Sequence, residues 1–211
     1  RVYGEVRTPV GILRFGRMGS QWGLGLLHND GNCLECDAGN TVDRLMFVTE
    51  PFAGYFVAPM LDFNAEGPIS IDQSGGGQPL DLSNSDDSHS FIVAIARRDT
   101  DQQRAAKLDN GQGVFNFGLH FTYRVQRNDA VDFYAAPFTD DGANVANLGN
   151  GYVTRAGSLY VPDVWVKYER KAFRLELEAA AVLGSLTNRA TSGAAAENPL
   201  LNQSLTIAQF G

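Results

Sequence analysis

The sequence is short of cationic charge, of sulfur, of histidine and of long apolar runs, and each shortage removes a class of protein. Lys and Arg number 17 against 24 Asp and Glu, a formal net charge of −7 over 211 residues. No Lys/Arg cluster compensates for that excess, so the basic stripe that a phosphate backbone requires is missing and nucleic acid is excluded as a partner. Although 44% of residues are hydrophobic, none of the runs approaches the ~18 apolar residues of a membrane-spanning helix. A helical membrane protein is excluded, but a β-barrel is not: barrel strands hide their apolar residues by alternation.

Cysteine occurs twice, as Cys33 and Cys36 of a lone C-x-x-C. A redox motif should open a helix, and nothing helical follows; a structural zinc site needs two more ligands. The expectation is a Cys33–Cys36 disulfide formed in an oxidising compartment. Histidine occurs three times, at His28, His89 and His120, and no G-x-S-x-G elbow accompanies them. The chain is therefore not expected to be an enzyme, a Ser–His pair such as Ser20 or Ser90 with His120 being the residual option. Gly75–Gly77 has no Gly-Lys-Ser/Thr after it and reads as loop.

What the chain does have is alternation. In Val114–Gln126, Phe115, Phe117, Leu119, Phe121, Tyr123 and Val125 share one parity, and Asn116, Gly118, His120, Thr122, Arg124 and Gln126 share the other. Period two is the signature of a strand with one apolar and one polar face. Tyr160, Pro162, Val164, Val166 and Tyr168 alternate with Asp163, Trp165, Lys167 and Glu169. Phe173–Gly184 sets Phe173, Leu175, Leu177, Ala179, Ala181 and Leu183 against Arg174, Glu176 and Glu178. Its Leu, Glu and Ala favour helix by propensity, and the alternation overrides them. Tyr55–Asn64 has the same design, Val2–Arg7 opens the series, and Leu45–Glu50, Phe91–Arg97 and Leu201–Phe210 are shorter strands. Ile12–Leu27 reads as one long strand with Arg14 and Arg17 on opposite parities, which puts one arginine near a rim or demands a bulge. About nine strands result.

The connections alternate too. Thr8–Gly11, Glu50–Gly54 and Glu169–Ala172 are short; His28–Arg44, Ala65–Ser90, Arg127–Gly157 and Ser185–Leu200 are long. Arg98–Gly113 is intermediate and has the composition of a short helix. Sequential antiparallel strands put every second connection on the same side, so short periplasmic turns and long extracellular loops are expected. The fold class expected over residues 1–211, as a single domain, is all-β: an antiparallel transmembrane β-barrel, or part of one. A soluble β-sandwich or jelly roll is the competing fold. The chain begins at Arg1 without a charged-then-apolar leader, as would a processed secreted protein or an internal part of a longer one.

The run Glu5-Val-Arg-Thr-Pro-Val-Gly-Ile-Leu-Arg-Phe-Gly-Arg17, continuing to Trp22-Gly-Leu-Gly25, resembles the strand–turn–strand of porin-type outer-membrane proteins. The likeness is strongest over residues 1–64. It implies a large barrel in a Gram-negative outer membrane, with an oligomer or a protein partner as a further implication, and says more about fold than activity.

On that reading the polar rows face a lumen. Glu5, Arg7, His120, Arg124, Asp163, Lys167, Arg174, Glu176 and Glu178 are its lining candidates, with Glu169 beside them. Their mixed signs argue against a sharply ion-selective filter, and cross-strand pairing is the bland alternative for each. The long loops carry acid, and Asn29-Asp30-Gly31-Asn32 with Asp37 offers clustered oxygens to calcium, Asp30 and Asp37 supplying the carboxylates, against solvated loop acid as the plainer account. No other cofactor is expected. The functions in view are a porin-like channel for small hydrophilic solutes, a non-conducting structural or binding barrel acting through its loops, and a soluble carbohydrate-binding sandwich.

Overall fold

A computed structural model describes residues 1–32, 39–64, 87–130, 152–188 and 204–210. It is all-β with one short helix. Strands β1 (Val2–Thr8), β2 (Gly11–Gly19), β3 (Thr41–Phe52), β4 (Tyr55–Asn64) and β5 (Ser88–Arg97) precede helix α1 (Asp101–Asp109). Strands β6 (Val114–Ala130), β7 (Tyr152–Arg170), β8 (Phe173–Asn188) and β9 (Ser204–Phe210) follow it. Each strand pairs antiparallel with the next, giving one nine-stranded sheet in the order β1 to β9. The sheet is open: β1 and β9 are its two edges.

Side-chain parity sets the two faces. Phe15, Leu45, Leu61, Phe91, Tyr123, Tyr160 and Leu183 stand opposite one another in a single row across β2–β8. Phe15, Leu45, Phe91, Tyr160 and Leu183 of that row are exposed. The row Ala58, Ala94, His120, Asp163 and Ala180 lies on the other face. Ala94, His120, Asp163 and Ala180 are all buried. Burial is therefore inverted relative to a water-soluble sheet: the fully covered residues include Arg44, Asp62, Asn116, His120 and Asp163, while Phe115, Phe117, Leu119 and Phe121 are uncovered.

The sheet curls around its polar face. One cavity touches both Val42 on β3 and Val182 on β8, strands that would stand about 24 Å apart in a flat sheet at ~4.8 Å per step. The residues after β2 cross this inner face and reach β8. Polar groups meet each other there and water is displaced, which explains the burial.

Strand ends follow local chemistry. Two-residue turns at Pro9–Val10, Ala53–Gly54 and Lys171–Ala172 join β1–β2, β3–β4 and β7–β8. Helix α1 lies at this same end. Thr100 caps it, its hydroxyl accepting from the Gln103 N–H while the Gln103 side chain accepts from the Thr100 N–H, a capping box. None of its residues is buried. The ion pair Arg104–Glu169 ties it to β7, and Lys107–Asp99 ties it to the segment that leads out of β5.

The sheet corrects two expectations. The strand expected over Ile12–Leu27 ends at Gly19, and the long connection runs from Ser20 to Asn40 instead of from His28 to Arg44. The opposed parities of Arg14 and Arg17 then need no bulge. Arg14 is on the inner face; Arg17 is on the outer face at the long-loop end, paired with Asp43 at 2.5 Å. Asp43, expected in the loop, belongs to β3. The helix expected within Arg98–Gly113 is present.

Candidate functional site

All nine lining candidates have the inner parity, but they do not form one cluster. Across β6–β7 His120 stands directly opposite Asp163, and the two are 3% and 0% exposed. Glu178 on β8 is close enough to Asp163 to interact with it. Nearer the turns, Arg174 binds Glu176, and Lys167 reaches Glu169 at 3.8 Å. Glu5 on β1 accepts from Arg7 at 2.9 Å and from Arg14 at 2.7 Å. Arg7, on the edge strand β1, is 81% exposed along its side chain. Arg124 donates to the Ser88 hydroxyl at 2.8 Å near the long-loop end.

Arg44 and Asp62 form the most buried ion pair among the described residues. They sit opposite each other on β3 and β4. The guanidinium donates to both carboxylate oxygens, at 2.5 and 2.8 Å, with side chains 6% and 5% exposed. The Arg44 Nη2 also reaches the Ser20 hydroxyl at 3.2 Å. A bidentate, buried pair of this kind fixes geometry more than it stabilises.

The feature that sequence reading missed is the inner turn Ser20–Asn32. Trp22, 6% exposed, lies against His120 with ring centroids 5.3 Å apart. A Cβ on Gly118 would come within 2.6 Å of the Trp22 ring, so only glycine at that inner position lets the indole seat on the sheet. Gly23 and Gly25 have φ of +51° and +91°, the left-handed region that side chains disfavour. This winding turns the Leu24 and Leu26 N–H groups toward one oxygen of Glu178, a backbone nest holding an anion. The Trp22-Gly-Leu-Gly25 run is thus an inward anchor rather than strand. A non-alternating Gly-x-Gly directly after Trp was its only sequence signal.

His28 follows on the same segment. Its ring lies 4.6 Å from that of His120, and its Nδ1 is 3.5 Å from the Ser20 hydroxyl. Burial and then the neighbouring Arg44 hold the His28 imidazole below its usual pKa, against a smaller pull from Asp62 and Glu178. Ser20 therefore meets His28 rather than His120. At 1% exposed, the Ser20 hydroxyl is closed to a substrate.

At the turn end, burial alone would raise the Asp99 carboxyl, but hydrogen bonds from Lys107 and Arg97 outweigh it and hold it below the usual carboxylate range. Asp30 is occupied locally, one carboxylate oxygen accepting from the Asn32 N–H at 3.0 Å. Asp37, Cys33 and Cys36 lie outside the described residues. Among the described residues, no group of three ligating side chains is placed to hold a metal.

The inner turn lines a cavity on either side of it. One of about 530 Å³ lies toward the long loops, beside Asp62, Ser90 and Arg124. The other, about 430 Å³, is bounded by Arg14, Trp22, Arg44, Met46, Arg98 and His120 among others. No protein-family model, curated protein or solved structure matches the chain.

Proposed function

We propose that this sheet is wall of an outer-membrane β-barrel through which small hydrophilic solutes diffuse. The observation that carries the reading is the inverted burial, with aromatic belts at both ends of the apolar face. At the long-loop end, Phe91 stacks on Tyr123 and Tyr123 on Tyr160, centroids 6.3 and 5.1 Å apart. At the turn end, Phe115 faces Tyr168 across β6–β7, and Tyr168 lies 6.4 Å from Phe173. Phe115 to Tyr123 is eight steps along β6, about 27 Å at ~3.4 Å per residue. Tilting by ~40° reduces that to about 21 Å, close to the ~25 Å apolar band of outer-membrane barrels. Between the belts, the outward positions of β6 and β7 are Phe117, Leu119, Phe121, Pro162, Val164 and Val166, without a charge. Hydrocarbon suits such a surface; water does not.

A nine-stranded meander runs β1 and β9 in the same direction, so closing one directly on the other would need a parallel pair. An antiparallel barrel closes here with an odd number of further strands, in keeping with the even totals of bacterial barrels.

Planar-bilayer reconstitution tests the channel. Stepwise conductance is the expected result. The inner turn favours one second reading, a barrel kept closed by Ser20–Asn32 that binds through its surface loops; persistent electrical silence of a folded, inserted protein would select it.

A further inference from the structure

We propose that the turn-side cavity binds a carboxylate with an apolar body, such as an aryl or short-chain acid. As a place where a permeating solute pauses, it rests on the channel reading; as a binding site it stands without it. The cavity lining contains Arg14, Arg44 and Arg98 and no carboxylate. Its remaining wall is largely apolar: Trp22, Met46, Phe56 and Met60 face the same space. The acids that act on these arginines, Glu5, Asp62 and Glu176, are not part of the lining. A surface that presents cations in an apolar wall selects an anion that also has surface to bury.

The arginines differ in what they have left to give. Arg44 is committed to Asp62 and Ser20. Among the described residues Arg14 donates only its Nε, to Glu5, leaving four of the five donors that a guanidinium carries. Arg98 has no ion pair among the described residues; its guanidinium lies 4.7 Å above the Trp165 ring, a cation–π contact that leaves its edge open. A carboxylate can therefore dock on Arg98 and the free edge of Arg14 while its hydrocarbon part lies against Trp22 and the methionines. The volume of about 430 Å³ equals roughly fourteen waters at ~30 Å³ each, ample for an aryl acid.

The chain's two tryptophans report on the site directly, since Trp22 lines it and Trp165 lies under Arg98. The experiment is a titration of the detergent-purified protein with sodium phenylacetate, following tryptophan emission. Phenylacetamide, acetate and phenethylammonium serve as comparison ligands. A saturable change with phenylacetate, much weaker with the other three, is expected. Arg98→Gln should weaken phenylacetate about tenfold, the effect of one lost charge-assisted contact. Arg104→Gln, on the exposed helix, should not. Arg14→Gln gives a second, independent loss if Arg98→Gln fails to fold. Equal binding of phenylacetate and phenylacetamide, or no saturable change, overturns the site. So does unaltered affinity in folded Arg98→Gln and Arg14→Gln. Binding by a protein that never conducts would remove the channel and keep the site; conduction without discrimination would do the reverse.

Discussion

Placing an arginine at Leu119 separates hydrocarbon from water as the solvent of the outer face. Leu119 is 41% exposed and lies four residues from Phe115 and four from Tyr123, about 14 Å along the strand from either belt. That is the midplane of the proposed apolar band. An arginine on the lipid face there costs about 2–4 kcal/mol, falling to about 0–1 kcal/mol near the interfaces. Phe63, 49% exposed and two paired rows beyond Phe91 toward the long loops, provides the interfacial comparison. A cost of ~3 kcal/mol changes the folded-to-unfolded ratio by roughly 150-fold. The assay is reversible refolding into phosphatidylcholine vesicles across a urea series, followed by the emission of Trp22 and Trp165. Leu119→Arg should move the midpoint far more than Phe63→Arg. If water covered this face instead, both substitutions would be ordinary surface changes and fall within about 0.5 kcal/mol of wild type. Equal, small shifts would refute the membrane reasoning.

Removing one partner of the buried pair, Arg44→Ala, should destabilise by about 3–5 kcal/mol, whereas Arg44→Met with Asp62→Leu should recover most of it; urea midpoints of the two variants decide. Gly23→Ala puts a Cβ 2.6 Å from the Glu178 carboxylate at φ +51°. It should cost about 1–2 kcal/mol from left-handed strain, loosen the inner turn and raise unitary conductance. The lowered pKa of His28 means that the unfolded chain binds the extra proton first. Stability is full above the usual ~6.5 and is lost as pH falls through that value toward the folded one. Trp22 emission should red-shift between pH 7.5 and 5 in wild type, and His28→Gln should flatten the response. Asp99 adds a lower-pH loss: its depressed carboxyl stabilises above the usual ~3.9 and ceases to do so as acid protonates it. Asp99→Asn should remove that step from acid-unfolding curves.

The sequence by itself determined the strands of β4 to β8 and their two faces, because a side-chain period of two is a local property that each residue declares by its own polarity. Phe115–Val125 against Asn116–Gln126 is legible without any partner. Short turns at one end were readable for the same reason, from Pro/Gly and chain length. Tertiary structure alone decided where the residues after Gly19 go. Trp22-Gly-Leu-Gly25 reads as strand until Gly118 makes room for the indole and Glu178, more than 150 residues away, fills the nest. Likewise, Arg44 takes its meaning from Asp62, and Arg98 from Trp165, partners brought together by pairing register and curl. Local polarity says which way a side chain points; only the curled sheet says what it meets.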